Sequence, residues 1–466
     1  MVSLTSYGAA RTVTGSKHLL EVEGHKILVD CGQFQGLKEL RERNWQPLPM
    51  RVESVILTHA HLDHCGLLPR LVQQGFRGRI FCTQATAQLA KIVLADAGRL
   101  QEEDAERANR KGYTKHKPAL ALFTEEDAAR TMLLFQPVGY ERPVPVAPGV
   151  TVEFLNAGHL LGSSFARVHI ELLNKTILFG GDLGRYGRPV LPDPTPVAEA
   201  DVLLLESTYG DRLHDADDDA TKLAEVITKT AARKGKVIIP SFALGRVEEL
   251  LYWIGLLESQ TRIPELPVYV DSPMALEVLK EYRTRLNELD PEIAQMAASN
   301  GVHHRRERDV MAFSTARLRV VASPKESQAV QESNLPAIVI SASGMATGGR
   351  VLHHLRRALP DPKNTILFVG YQSVGTRGRQ IRDGAKFTRI HGEDVPVNAE
   401  VASFDSMSAH ADANEIMQWL GHFTKPPQLT CLVHGEPEPM DTLKARIEHE
   451  LKWTVKTPLQ GEKIAL

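Results

Sequence analysis

The chain has few cysteines: Cys31, Cys65, Cys82 and Cys431 in 466 residues, with no Cys-x-x-Cys pair among them. That scatter argues against a disulfide framework and a cysteine-built zinc site, and fits a reducing compartment. Long apolar runs are also missing, and no stretch reaches the roughly 20 residues a membrane-spanning helix needs. The first residues, Met1-Val-Ser-Leu-Thr-Ser-Tyr-Gly8, lack the basic-then-apolar order of a secretory leader. A cytoplasmic protein with no membrane partner is therefore expected. Charge of either sign is not in excess, the formal net charge being -2. This excludes a globally basic nucleic-acid coat, so any polyanion site must be a local basic groove.

What is present begins with Ser54-Val-Ile-Leu-Thr-His-Ala-His-Leu-Asp-His-Cys-Gly66. A short apolar strand runs into His59, His61, Asp63 and His64. Imidazole and carboxylate are the donors that zinc and similar first-row ions take. Alternate residues of an extended segment point the same way, so His59 and His61 can grip one ion. Asp63 and His64 fall where the chain turns toward a helix and can reach a second.

The same arrangement recurs along the chain. Strands are expected at Ser3–Tyr7, His18–Val22 and Lys26–Asp30, the last ending in a carboxylate. A helix follows from about Thr83, with a solvated charged face over Gln101–Lys117, and Thr124 to Asp127 resembles a capping box. Further strands at Val150–Leu155 and Thr176–Phe179 are followed by His159 and Asp182 in Gly-rich loops. Glu206 ends the apolar run Val202–Leu205, and His434 follows Gln428–Val433.

Between these two segments the rhythm changes. Helical patterns alternate with apolar runs at Lys236–Ile239, Pro267–Val270, Ala337–Ile340 and Thr365–Val369. That is the arithmetic of a parallel sheet covered by helices. Several runs end in small or Gly-rich turns, where ligands of such folds gather and helix starts offer N–H groups to phosphate. Gly344, Ser373, Thr376 and Gly378 are candidate substrate contacts there. Arg246, Arg350, Arg377, Arg379 and Arg382 are candidates for a basic groove. The Pro-rich connector Pro189 to Pro196 marks a boundary. Three segments are expected: residues 1–208, an insertion over 209–388, and a return to the first domain over 389–466.

The ordered set Asp30, His59-x-His61-x-Asp63-His64, His159 and Asp182 resembles the metallo-β-lactamase fold. Glu206, His410 in Ser-Ala-His-Ala-Asp, and His434 in Val-His-Gly-Glu resemble the extra motifs of the β-CASP nucleases. So do Pro-Ser-Phe-Ala-x-x-Arg, Asp-Ser-Pro-Met and Ser-Gly-Met-x-x-Gly-Gly. The resemblance covers essentially the whole chain and is nearest to bacterial and archaeal homologues of the cleavage and polyadenylation nuclease. Neither an added KH-type RNA-binding segment nor a long C-terminal extension is expected.

The resemblance implies an α/β architecture: a metallo-β-lactamase αββα sandwich with an inserted β-CASP parallel-sheet domain. It implies two zinc ions, one held by His59, His61 and His159, the other by Asp63, His64 and His434. Asp182 would bridge them and Asp30 would support a ligand from behind. Manganese tolerates the same donors. Asp63, Asp182, Glu206 and His410 would be the catalytic group, with a two-metal-activated hydroxide as nucleophile and His410, oriented by Glu206, as general acid. The substrate would be single-stranded RNA, cut internally or from the 5′ end. Ser406 and Ser408 are candidate hydroxyl donors to a terminal phosphate. A hydrolase of a small ester or thioester, and a DNA nuclease, are the competing readings. Oligomeric state is left open, a homodimer included.

Overall fold

The computed structural model describes residues 2–48, 51–112, 117–214, 219–293 and 313–466. The chain divides into two compact units. One comprises Met1–Arg188, Asp193–Leu213 and His410–Leu466; the other comprises Pro189–Pro192 and His214–Ala409.

The first unit contains two seven-stranded sheets. One runs in the order Lys463–Ala465, Val2–Gly8, Lys17–Val22, His25–Val29, Ser54–Ile56, Arg79–Thr83 and Phe135–Val138. It is antiparallel up to His25–Val29 and parallel beyond. The other runs Val455–Lys456, Leu429–Val433, Val202–Glu206, Lys175–Phe179, Ser164–Ile170, Val150–Asn156 and Val144–Ala147. Leu4, Leu20, Ile27 and Ile56 of the first sheet share one core with Val152, Phe154, Phe179 and Leu204 of the second. The opposite face of the second sheet packs Leu155, Phe165, Leu178 and Leu203 against Ile416 and Trp419 of the helix Ala413–Leu420 and Leu443 and Ile447 of Pro437–Glu450. Val202–Glu206 is buried throughout, as its unbroken apolar run requires for a strand covered on both faces.

The long helix Gln84–Lys111 packs beside Arg79–Thr83 and Phe135–Val138. Thr83 caps it by accepting the Thr86 N–H. The charged run expected over Gln101–Lys117 is helical to Lys111; residues 113–116 lie outside the described residues. Thr124 and Asp127 form the reciprocal capping box, each side chain accepting from the other's backbone N–H.

The second unit holds a six-stranded sheet in the order Leu318–Val320, Val268–Val270, Ala337–Ala342, Lys236–Ser241, Thr365–Val369 and Glu400–Phe404. Every pairing in it is parallel. A separate hairpin pairs Phe387–Ile390 with Glu393–Pro396. Because Glu400–Phe404 adds to this sheet, the second unit extends to Ala409, past the return point of 388 expected from the sequence. Its other end falls at His214, compared with an expected 209. Among the described residues, no helix is long and apolar enough to cross a membrane.

Candidate metal centre

The first unit brings its ligand-type residues to one end of its strands. Asp30 follows His25–Val29, and His59 and His61 follow Ser54–Ile56. Asp63 and His64 lie on the short helix Leu62–Cys65. From the second sheet, His159 follows Val150–Asn156, Asp182 follows Lys175–Phe179, and His434 follows Leu429–Val433. Asp30 and His434 are held at φ 59° and 51°, a left-handed conformation uncommon for residues other than glycine. Such backbone is retained where the surroundings over-determine it.

Two donor groups result. In the first, His61 Nδ1 lies 3.1 Å from His59 Nε2 and 3.2 Å from His159 Nε2. Asp182 Oδ2 is 3.3 Å from His59 Nε2 and 3.4 Å from His159 Nε2. In the second, His434 Nε2 is 3.5 Å from Asp63 Oδ2. Asp182 Oδ1 faces His64 Nε2 at 3.2 Å and His434 Nε2 at 3.6 Å. Asp182 thus turns one oxygen to each group. Within each group the ligand atoms lie within 4.8 Å of one another.

The rear nitrogens are fixed from behind. Asp30 accepts from His64 Nδ1 at 2.7 Å and from the backbone N–H and hydroxyl of Thr58. Thr58 Oγ1 also lies 3.1 Å from His59 Nδ1, and Thr208 Oγ1 lies 3.1 Å from His434 Nδ1. Ser163 Oγ accepts the backbone N–H of His159, which fixes the loop and not the ring. Asp30, Thr58 and Thr208 thus set which ring nitrogen of His64, His59 and His434 faces forward. Thr58, Thr208 and Ser163 were not singled out in the sequence, although Thr58 stands next to His59.

The electrostatics fit cation binding. Burial holds His59 and His159 below the ordinary imidazole range and lowers His61 to about 3, which favours the neutral rings that a metal ion takes. Burial would also lower His64, but the Asp182 and Asp30 carboxylates outweigh it and raise its pKa well above the usual value. A cation at that position would displace a proton. His64 Nε2, His434 Nε2 and Asp182 Oδ1 are buried and make no hydrogen bond. Orphaned buried atoms of this kind call for a ligand. Converging imidazole nitrogens and carboxylate oxygens are a donor set for divalent zinc or a similar ion.

Beside this cluster, His410 Nδ1 contacts Glu206 Oε1 at 2.9 Å and Asp182 Oδ2 at 3.9 Å. Glu206 is fully buried and also accepts the backbone N–H groups of Leu183 and Thr208. Burial would lower the His410 pKa; Glu206, with Asp182 and Asp63, raises it to about 9. A bound cation would oppose that rise.

The remaining expected residues lie in the second unit. Arg246 is buried and paired with Glu249. Arg350 is tied to Asp271, and Arg379 and Arg382 to Asp383. Arg377 donates to the carbonyls of Ala346 and Arg389. Thr376 caps the helix Arg377–Arg382, and the Gly378 N–H donates to Met345 O. Gly344 O accepts from Gln372, and the Ser373 hydroxyl is buried without a hydrogen bond. The helix after Gly344 begins only at Val351. Ser406 and Ser408 are buried, and the cap of the helix Ala413–Leu420 is Asp412 instead of either serine.

Fold and site together define a metal-dependent hydrolase. Residues 19–180 match a metallo-beta-lactamase superfamily domain, 247–381 a Beta-Casp domain, and 394–458 a Zn-dependent metallo-hydrolase RNA specificity domain. The chain is 38% identical over 439 residues to Ribonuclease TTHA0252 of Thermus thermophilus, covering 93% of each. It is 30% identical over 465 residues to an RNase J-like protein of Methanocaldococcus jannaschii, covering 99% of each. It is also 29% identical to the transcription termination factor FttA of Pyrococcus horikoshii, covering 100% of this chain and 71% of that one. A solved structure of a protein of unknown function from Enterococcus faecalis shares the fold, with a TM-score of 0.55 at 14% identity over 100% of both chains. The chain belongs to the β-CASP family of metallo-β-lactamase-fold hydrolases.

Proposed function

We propose that this protein is a ribonuclease that hydrolyses phosphodiester bonds of single-stranded RNA in RNA processing or decay. The observation that carries the reading is the pairing of a divided His/Asp donor set with a Glu206–His410 couple in a chain of this family. Two zinc ions would be held, one by His59, His61 and His159, the other by Asp63, His64 and His434, with Asp182 between them. When bound, such ions supply Lewis acidity that draws charge from a phosphoryl group and makes water a usable nucleophile near neutral pH.

The residues of the chain do the rest. Asp182 holds the two halves of the pocket in register. Asp30, Thr58 and Thr208 keep the imidazoles aimed forward. His410 would hold a proton for the departing oxygen, its Nδ1 facing the buried Glu206 carboxylate that favours the charged ring. Glu206 maintains that protonation and fixes the ring. The relatives named as ribonucleases support RNA as the substrate class. Cytoplasmic residence and a homodimer are compatible with this role.

The test uses metal-loaded protein on RNAs with a 5′-phosphate, a 5′-triphosphate or a closed circle, beside matched DNA and a thioester. Cutting of the circle establishes internal cleavage. Phosphate-dependent release of mononucleotides establishes 5′ attack. Thioester hydrolysis with intact RNA would overturn the reading.

A further inference from the structure

Lys17 is an expensive residue in its position. It is only 3% exposed, and no carboxylate pairs with it among the described residues. Burial lowers its pKa to about 8, which leaves it mostly an ammonium at neutral pH. A buried charge without a counter-ion costs several kcal/mol unless its donors are satisfied. Lys17 Nζ donates at 2.7 Å to Gly15 O and at 2.7 Å to Gly32 O, and lies 4.2 Å from the centroid of the Phe34 ring. It therefore joins two loops, one before the strand Lys17–Val22 and one after His25–Val29.

Those two loops contact the backbone of one donor group. The Ser16 N–H donates to Asp63 O at 2.8 Å, and the Cys31 N–H donates to His64 O at 2.7 Å. The His434 N–H donates to Ala9 O at 2.8 Å. Gly32 N in turn donates to Ser16 O. The approach is close: a Cβ on Gly32 would fall 1.6 Å from Asp63 O, and one on Gly15, at φ +83°, 2.5 Å from the Phe34 ring. A second tie joins the same loops, Thr14 Oγ1 accepting the Gln35 N–H at 3.0 Å. His159, by contrast, has its backbone N–H held by Ser163, while the Thr58 that faces His59 is itself held by Asp30, the residue before Cys31.

We infer that Lys17 is a positioning residue for the metal centre that acts most directly on the half formed by Asp63, His64 and His434, whose backbone its two loops hold. The inference rests on the two-metal reading above. The His434 half is thus tuned from behind by an ammonium that touches no ligand.

The test is metal titration of the intact protein, with Co²⁺ as a spectroscopic probe and zinc by competition with a chelator. Lys17→Met retains the stem over Phe34 and removes both donors. It should weaken the equivalent at Asp63, His64 and His434 about tenfold or more, as loss of an outer-shell support does, and shift that equivalent's d–d band while the other changes less. Thr14→Val, a milder cut of the same tie, should move that equivalent in the same direction by less, and it carries the test if Lys17→Met does not fold. Equal weakening of both equivalents in Thr14→Val, or no change in either variant, would overturn the proposal. Wild-type protein that takes up only one equivalent would instead overturn the two-metal reading itself.

Discussion

Each unit buries an aspartate–histidine pair at the end of a strand, and the two pairs differ in what surrounds them. In the second unit, Asp271 Oδ2 accepts from His354 Nε2 at 2.6 Å and from Ser327 at 2.5 Å, and Oδ1 accepts from Arg350 at 2.9 Å. Both oxygens are engaged, and the knot joins Val268–Val270 to the helices Pro324–Glu332 and Val351–Ala358. In the first unit, Asp30 engages His64 at 2.7 Å, but the far nitrogen of that ring makes no hydrogen bond. The lesson is physical. A closed polar network is a fastener, whereas one left open at a buried atom is a socket.

Substitutions can break or sharpen that contrast. The largest effect belongs to Asp182→Ala, which removes the oxygen facing each donor group. Both metal equivalents and RNA cleavage should be lost, as read by metal analysis and a single-turnover assay; retention of both equivalents would refute the bridging role. Next is His410→Ala, which should retain metal and lose about 10²–10⁴-fold in cleavage. Glu206→Gln should keep more activity and move the alkaline limb of the rate profile to lower pH, because it removes a carboxylate that raises the His410 pKa.

Asp271→Ala should cost about 1–3 kcal/mol in denaturant unfolding by leaving the buried His354 and Ser327 without their acceptor, with metal content of the folded protein unchanged. Burial would raise the Asp271 pKa, but His354, Ser327 and Arg350 hold it below the usual carboxylate range. Its contribution is therefore present above pH of about 4 and lost as pH falls through the lowered pKa. The variant should lack that acid limb. Asp30→Asn should do the opposite, weakening metal affinity about 10–100-fold with a smaller change in unfolding. If Asp30→Asn altered only stability, the distinction between socket and fastener would fail.

The smallest effect is Arg379→Ala. Its pair with Asp383 is exposed and worth about 0.2–1 kcal/mol at most, so unfolding should barely change. If the guanidinium contacts phosphate, RNA binding should weaken and the salt slope fall by about 0.7. An unchanged slope would remove Arg379 from the RNA path.

The donor residues were legible because each follows an apolar run: His59 after Val55–Leu57, Asp182 after Thr176–Phe179, His434 after Gln428–Val433. Strand ends aim side chains into one region, and that rule is local. What escaped notice acts across the chain. Thr208 means nothing beside Tyr209, and gains its role only when Val202–Glu206 pairs with Leu429–Val433 and brings His434 alongside. Lys17 reads as an ordinary polar residue before an apolar strand. The strand Phe135–Val138 was hidden by its short, half-exposed edge and its proline. The arginines near the Gly-rich turns suggested a groove, but spacing alone could not show how many are engaged by neighbours such as Glu249 and Asp383.

The last strands have a consequence for biosynthesis. Leu429–Val433 supplies His434 only after pairing with Val202–Glu206, and Lys463–Ala465 joins the first sheet by pairing with Val2–Gly8. A nascent chain that has passed Asp182 already carries most of the donor residues, yet the second sheet cannot seat His434 until Leu429–Val433 has left the ribosome. Contacts so distant along the chain also form late, because closing long loops costs entropy before pairing returns it. The growing polypeptide is thus an incomplete metalloprotein while it is still tethered to its own message.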